Sequence, residues 1–216
     1  MPRTHDMKHL GLVLLALFVL VPAAFAQHRA FDLTANAVWV DPTNSGSFKD
    51  LADPADIDFD GTIGYGLAAN IFFGDHISAE FAASRVEPDT TIRRHAVSSA
   101  GGNLRMTPLT AVLQWHFAPN GFIDPYIGAG AAYVLFDNSA DNSVSGINDI
   151  DIKDDAGFAV NAGLGIRLGS RWGINGDVKY VPLESNATAV VATGGTTQGR
   201  FNISPIIVSA GLQLRF

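Results

Sequence analysis

The sequence predicts an all-β fold, an eight-stranded antiparallel up-and-down transmembrane β-barrel with short periplasmic turns and long extracellular loops. Three observations predict it. Apolar and polar residues alternate with a period of two through most of the chain, and no stretch carries the apolar stripe of a helix. The connections between these segments are alternately short and long, as in outer-membrane barrels. Aromatic residues gather near both ends of the segments, where membrane interfaces favour them.

Residues 1–26 predict a secretory signal peptide that is cleaved, which leaves residues 27–216 as the barrel. Arg3 and Lys8 precede an apolar run over residues 10–21, and Ala24-Phe25-Ala26 forms a small-x-small cleavage site. The run is shorter than the roughly 20 residues that a transmembrane helix needs. A buried N-terminal helix is the alternative reading of this segment.

Composition excludes several classes of protein. The chain has no cysteine, so it is not a disulfide scaffold. Its formal net charge is −7, which argues against a nucleic-acid partner. The fold must therefore be held by burial and backbone hydrogen bonds.

The predicted strands follow one another with unequal connections. They lie at residues 31–40, 62–73, 77–85, 106–117, 125–136, 157–168, 172–181 and 201–216. The second, fourth and sixth end in the short turn sequences "GDH", "APNG" and "GSR", which are rich in turn-forming residues. The first, third, fifth and seventh are followed by polar segments at about 41–61, 86–105, 137–156 and 182–200, which we expect to be loops.

Each strand has one apolar face. In the second strand Ile63, Tyr65 and Leu67 face one way, and Gly64 and Gly66 face the other. A soluble sandwich or lipocalin-like barrel would show the same alternation, but two aromatic belts favour a membrane. The predicted interface aromatics are Phe73, Trp115, Phe117, Trp172 and Phe216 at the short-turn ends, and Trp39, Tyr133, Phe158 and Tyr180 at the long-loop ends.

The inward residues predict a lumen of two halves. An apolar lining is expected toward the loops, at Gly64, Gly66, Val112, Val134, Phe136 and Ala159. A polar plug is expected toward the turns, at Glu80, His116, Arg167, Asp177, Lys179 and Arg215. Charges confined in a narrow lumen should pair, because an unpaired buried charge is costly.

No motif predicts catalysis, a cofactor or a metal site. The stretch "DIDFDG" at 56–61 begins like a calcium loop, but the position of its bidentate glutamate is Leu67. No Ser, His and Asp spacing suggests a nucleophile. We therefore expect a protein that is not an enzyme, with no catalytic residue, no cofactor and no metal.

Several stretches resemble the outer membrane protein W (OmpW) family: "PLTAVLQWHF" (108–117), "DPYIGAGAAYVLFDN" (124–138), "DIKDDAGFAVNAGLGIRLGSRWGINGDVKYVPLES" (151–185) and the terminal strand. The resemblance implies an eight-stranded barrel in a Gram-negative outer membrane that passes small hydrophobic molecules, with related members importing alkanes. It also implies that the terminal strand, ending in Phe216, is recognised by the outer-membrane assembly machinery.

Two functions follow as expectations. The first is passive uptake of a small apolar solute, which enters the apolar upper lumen, meets the polar plug and leaves sideways through the barrel wall into lipid. The alternative is a plugged structural or adhesive barrel that acts through its loops. The expected partners are outer-membrane lipid, lipopolysaccharide, small hydrophobic solutes and the assembly machinery, without nucleic acid.

Overall fold

The computed structural model describes residues 29–216, except 43–45, 49–54, 60, 95–96, 140–146, 153 and 192–195. Side chains are described for residues 29–41, 61–88, 105–136, 154–182 and 204–216. The predicted signal peptide lies outside the described residues. Among the residues described, no helix is long and apolar enough to cross a membrane.

The described residues form β-strands joined by turns. In chain order the strands are β1 (Phe31–Pro42), β2 (Gly46–Phe48), β3 (Ala55–Phe59), β4 (Thr62–Phe72), β5 (Ile77–Arg85), β6 (Asp89–Arg94), β7 (Val97–His116), β8 (Ile123–Ser139), β9 (Ile147–Ile152), β10 (Asp155–Arg167), β11 (Trp172–Tyr180), β12 (Leu183–Val191), β13 (Thr196–Ile203) and β14 (Pro205–Arg215).

Eight of these strands close into a barrel. The order around the wall is β1, β4, β5, β7, β8, β10, β11 and β14, and β14 pairs back to β1. Every pairing is antiparallel. Because a backbone group without a partner costs several kcal/mol in lipid, a spanning sheet must close in this way. The eight-stranded antiparallel barrel predicted from the sequence is confirmed.

Closure uses the chain to its last residue. The register of β1 and β14 pairs Leu33 with Leu214 and Ala35 with Leu212. Beyond the strands, the amide of Phe216 donates to the carbonyl of Phe31 at 2.9 Å, and the amide of Ala30 donates to the carbonyl of Phe216 at 3.1 Å. The alternating terminal strand therefore pairs with the first strand and closes the barrel.

The two ends of the barrel differ. At one end, which we call the turn end, the chain reverses within residues 73–76, 117–122 and 168–171. Gly74 takes a positive φ of 126° in the first of these turns, a conformation that residues with a side chain rarely adopt. The opposite end is called the loop end.

The segments expected to be loops contain strands, which corrects the sequence reading. β2 and β3, β6 with the start of β7, β9, and β12 with β13 all lie in the segments joining barrel strands at the loop end. β2, β3 and β6 continue the barrel sheet, whereas β9, β12 and β13 form a separate sheet of three strands. Pairing satisfies backbone groups that a polar loop would leave to water.

The outer surface is apolar. Ile63 is 76% exposed and Leu67 is 68% exposed, and such large exposed side chains are expected where the wall meets lipid rather than water. All nine predicted interface aromatics point outward and are exposed: Trp39, Phe73, Trp115, Phe117, Tyr133, Phe158, Trp172, Tyr180 and Phe216.

Candidate functional site: the barrel lumen

The lumen changes character along its length. Near the turn end its buried side chains are polar, and they include Asp32, Asn70, Ser78, His116, Asp124 and Gln213. Near the loop end they are apolar, and they include Val38, Val40, Met106, Val134, Phe136 and Val181. The division arises because inward positions pass from polar to apolar residues toward the loop end in several strands, as from Asp32 and Thr34 to Val38 and Val40 in β1.

Three residues of the predicted plug form one ion cluster. Lys179 Nζ lies 2.8 Å from Glu80 Oε1, and it also pairs with Asp177 Oδ1. Asp177 Oδ2 accepts further hydrogen bonds from Tyr126 at 3.1 Å and from Asn161 at 2.7 Å. The ammonium of Lys179 thus pairs with two carboxylates, and Tyr126 and Asn161 donate further hydrogen bonds to that of Asp177. A buried charge needs such partners.

His116 belongs to a second cluster nearer the turn end. Its Nδ1 lies 2.9 Å from Asp124 Oδ2, and its Nε2 lies 3.0 Å from Ser78 Oγ. This is the order of groups in a serine nucleophile triad, and the spacing along the chain had not indicated it. Ser78 is 0% exposed and His116 is 1% exposed, so no substrate reaches the hydroxyl in this arrangement.

Arg29 joins that cluster from outside the predicted strands. Its Nη1 donates to Asp124 Oδ2 at 2.9 Å, and its Nε donates to Asp32 Oδ2 at 2.7 Å. The guanidinium also lies 4.2 Å from the centre of the Phe72 ring, in a cation–π contact. Sequence reasoning missed Arg29 because it precedes the first alternating residue, and no periodic signal covers it.

The remaining two plug residues are Arg215 and Arg167. Arg215 donates to Gln213 Oε1 at 3.1 and 2.9 Å. Arg167 reaches across to the carbonyl of Pro119 at 3.1 Å, in the turn at 117–122. The six predicted plug residues are therefore divided among the ion cluster, the histidine cluster and two arginines, of which Arg215 shares Gln213 Oε1 with Arg29 of the histidine cluster.

The predicted apolar lining faces inward but encloses little open space. Val134 is 0% exposed and Val112 is 2% exposed, and Phe136 and Ala159 are also buried. Side chains fill the lumen at these positions. Val112 lies lower than the others, since its register partner on β5 is Glu80 of the ion cluster.

The predicted lining glycines allow strands to approach rather than line an open channel. A Cβ on Gly64 would overlap the carbonyl oxygen of Arg85, and a Cβ on Gly66 would lie 3.0 Å from that of Ala83. Both glycines sit on β4 against β5. The absence of side chains brings the two backbones close and leaves the adjoining lumen lightly filled.

The wall has a weak seam between β5 and β7. Their paired register ends at Ala83 and Leu109, and it resumes only as an isolated bridge between Val86 and Met106. The same register places Pro108 opposite Ser84. Proline has no amide hydrogen to donate, so the ladder lacks one bond at this point.

A cavity of about 30 Å³ lies against the seam. Ser84, Pro108 and Thr110 border it from the lumen side, whereas Leu67 and Ala83 belong to the lipid-facing set. Most of the lining residues face inward, so the cavity lies in the lumen and borders the inner side of the wall at the seam. No periodicity in the sequence predicted it, because it depends on which strands become neighbours.

Metal ligands are not brought together in the part of the chain whose residues are described. No group of three or more His, Cys, Asp or Glu residues there has the arrangement of a metal site. The side chains of the calcium-loop-like stretch at 56–60 lie outside the described set. The expectation of no cofactor stays a prediction.

The comparison with known proteins agrees with this geometry. A sequence model of the OmpW family matches residues 30–216. The chain belongs to the OmpW family. It is 31% identical over 173 residues to an uncharacterised outer-membrane protein, y4mB, of Sinorhizobium fredii, covering 80% of this chain and 74% of that one. It is 29% identical over 191 residues to outer membrane protein W of Vibrio cholerae, covering 82% and 85%.

Solved structures show the same fold. The barrel superposes on OprG of Pseudomonas aeruginosa with a TM-score of 0.77 at 20% identity, covering 88% of this chain and 97% of that one. It superposes on AlkL, solved in lipid bilayers, with a TM-score of 0.65 at 24% identity, covering 90% and 94%. Together with the family match, the fold places the chain in the bacterial outer membrane.

Proposed function

We propose that this OmpW-family barrel mediates passive uptake of small hydrophobic molecules and releases them sideways into lipid through the seam between β5 and β7. The observation that carries the proposal is the lumen cavity bordered by Ser84 and Thr110, beside the bond that the β5–β7 ladder lacks at Pro108. Membership of the OmpW family supports the uptake proposal, because the resemblance to this family implies passage of small hydrophobic molecules.

The charge distribution of the lumen supports sideways release. An apolar solute that descends past Val134 meets the ion cluster of Glu80, Asp177 and Lys179. Displacing paired buried charges costs several kcal/mol, whereas moving an apolar group into the bilayer is favourable. The seam offers the lower barrier.

The plugged structural barrel is the second candidate, and one observation favours it. Val134 and Ala159 have no accessible surface, so the upper lumen is filled by side chains. Under the uptake proposal these side chains must move aside for each solute. Under the structural proposal they remain in place, and only the loop end meets partners.

A reversible cross-link at the seam tests the proposal. The chain has no cysteine, so only the introduced pair can form a disulfide. The variant Arg85→Cys with Thr107→Cys spans the gap, because the register places these residues opposite each other. The control, Ala79→Cys with Leu113→Cys, joins the same two strands below the gap.

We expect oxidation of the seam pair to slow uptake of a labelled medium-chain alkane into cells, and reduction to restore it, with no effect on the control pair. If the seam disulfide forms and uptake is unchanged, release does not occur there. If wild-type cells take up alkane no faster than cells lacking the barrel, uptake fails and the structural candidate remains.

Other parts of the sequence reading also stand as proposals. We propose that the chain is not an enzyme, because the hydroxyl of Ser78 is enclosed by hydrogen bonds to Asn70, Gln114 and His116. We propose lipopolysaccharide as a neighbour of the loop end. The assembly machinery is the proposed partner of the terminal strand, whose Phe216 remains exposed on the outer surface.

A further inference from the structure

Another cavity lies on the outside of the barrel, over β7 and its neighbours β5 and β8. It is a groove of about 340 Å³. Gln114 and Gly128 border it although both positions face the lumen, so its floor is the backbone where these two residues pair. The lipid-facing side chains around it are Ile77, Leu113, Trp115, Ile127 and Ala129. We call this feature the outer groove.

The outer groove runs from the turn end toward the middle of the bilayer. Trp115 pairs with Ile77 and with Ile127 in the row nearer the turns. Leu113 pairs with Ala129 two residues further from the turns, which is about 7 Å along the strand. Outer-membrane barrels turn their short connections to the periplasm, so the groove opens in the periplasmic leaflet, whose lipids are phospholipids.

Hydrocarbon is the material that fills such a groove. Leu113 is 58% exposed and Ile127 is 52% exposed, and neither side chain offers water a hydrogen bond. An empty space beside them would forfeit dispersion contacts. The volume of about 340 Å³ equals about eleven groups the size of a water molecule, and a methylene group is of similar size. A second copy of the chain would need about 20 residues on each side for a stable interface, whereas five lipid-facing side chains surround the groove.

His76 supplies a polar group at the turn end of the groove. Its ring stacks on that of Trp115, with 5.4 Å between the ring centres and 15° between the planes. Its Nδ1 lies 2.6 Å from the carbonyl oxygen of His116, and because a carbonyl only accepts, Nδ1 carries the hydrogen. In the neutral ring, Nε2 is then an acceptor. His76 is exposed, so this acceptor is open to a donor from the membrane surface.

The charges of the two adjoining turns suit a zwitterionic head group. The turn at 73–76 carries Asp75, and Arg167 reaches the turn at 117–122 through the carbonyl of Pro119. The negative charge of Asp75 next to His76 favours an ammonium over a neutral hydroxyl as the donor to Nε2. An ethanolamine head supplies that ammonium with hydrogens, whereas a choline head has the same charge and no N–H to donate.

We propose that the outer groove binds one phosphatidylethanolamine molecule of the periplasmic leaflet. The ammonium of the lipid donates a hydrogen bond to His76 Nε2 beside Trp115. One acyl chain continues along Leu113 and Ala129 over the floor of the groove. The site lies on the outer wall of the barrel and does not depend on the uptake of a solute.

Native mass spectrometry of the purified barrel counts the lipids that it retains. The barrel is equilibrated with palmitoyl-oleoyl lipids that differ only in their heads: phosphatidylethanolamine, phosphatidylcholine and phosphatidylglycerol. Ala129→Phe fills the groove. Ala35→Phe is its control, because Ala35 is also exposed on the lipid-facing side but lies on β1, away from the groove. Heat-modifiability on a gel reports that each variant is folded.

The head-group contact is tested with two replacements of His76 that both lack Nε2. His76→Phe keeps a ring that can stack on Trp115. His76→Asn keeps a side-chain donor for the carbonyl of His116. A change that both variants share is therefore due to Nε2 rather than to the stack or to the bond from Nδ1.

We expect the wild-type barrel and Ala35→Phe to retain one phosphatidylethanolamine with a preference of about three- to tenfold over phosphatidylcholine, the effect of one hydrogen bond. Both His76 variants should lose this preference, and Ala129→Phe should lose the bound lipid. Equal retention of the three lipids, or retention that Ala129→Phe leaves unchanged, would overturn the proposal. Dimers that Ala129→Phe dissociates would also overturn it, because a second copy would then fill the groove.

A second measurement uses the wild-type chain alone. The alanine methyl groups are isotope-labelled, and the barrel is placed in phosphatidylcholine nanodiscs that contain a small fraction of one lipid with a nitroxide on its acyl chain. The methyl group of Ala129 should relax faster when the nitroxide is on phosphatidylethanolamine than when it is on phosphatidylcholine, while that of Ala35 should respond equally to both. Equal relaxation of Ala129 with the two lipids would show that only bulk lipid meets the groove and would overturn the inference.

Discussion

Replacing Pro108 with alanine restores one backbone donor at the seam, and we expect this change to slow lateral release. The new backbone amide at position 108 would lie opposite the carbonyl of Ser84, in the register set by the pairs on either side. One such bond contributes about 1 kcal/mol net. A change of that size lowers the open fraction of the seam about fivefold, and uptake limited by seam opening should fall by the same factor.

Two measurements are needed to judge the Pro108→Ala variant. Hydrogen exchange of the new amide shows whether the bond forms, and alkane uptake shows whether release depends on it. Pro205→Ala is the control, since Pro205 is also buried but begins β14 at the loop end, away from the seam. A protected amide at position 108 together with unchanged uptake would refute the argument that the missing bond makes the exit.

Three further predictions concern the packing and charges of the barrel. Lys179→Met should destabilise it by about 3–5 kcal/mol in urea unfolding, because two carboxylates stay buried without their cation; a loss near zero would show that they are not ionised. Gly130→Ala should cost about 1–3 kcal/mol, since its Cβ would overlap a backbone carbonyl of β7, whereas Gly176→Ala should be neutral because its Cβ meets nothing within 4 Å. Equal stabilities would contradict this. Glu87, outside the spanning strands, has its pKa lowered mainly by the hydrogen bond from Arg105 at 2.9 Å. Its contribution to stability should be present above the ordinary glutamate range and fade as pH falls through the lowered pKa. An NMR titration should show a higher midpoint in Arg105→Gln, and an unchanged midpoint would reject the assigned cause.

The barrel was predictable because its determinants are local. Alternation assigns each residue to a face, so the outward placement of Ile63 and the inward placement of Asn70 follow from parity alone. The terminal strand alternates to the last residues, and closure is the reason. The start of β7 was predicted at 106 because residues 86–105 are polar and were expected to be a loop, whereas β7 starts at Val97.

The strands at the loop end were hidden by their polarity. In β3 the residues Ile57 and Phe59 alternate with Asp56 and Asp58, which is a period-two pattern in a short acidic segment. Acidic residues have low β-propensity, so composition outweighed periodicity in the reading. Pairing with β6 supplies the stabilisation that propensity lacks.

The clusters of the lumen could not be predicted from periodicity. Parity places Glu80 and Lys179 inside, but their contact at 2.8 Å depends on the order of strands and on the stagger between them around the wall. The link from Ser78 through His116 to Asp124 likewise depends on the register of β5, β7 and β8, which alternation alone does not give. Arg29 adds a residue for which no periodic signal exists.

The lumen is mostly polar near the turn end and mostly apolar near the loop end, so its two ends are not equivalent. The buried apolar side chains of the loop end, such as Val134 and Phe136, can rearrange without breaking an ion pair. Below it, opening the pair of Glu80 and Lys179 leaves each ion buried without compensation, at a cost of several kcal/mol. The seam lies beside Val134, where the wall lacks one bond at Pro108. Under the proposed uptake function, a solute from the loop end would therefore meet its smallest barrier sideways, above the polar half.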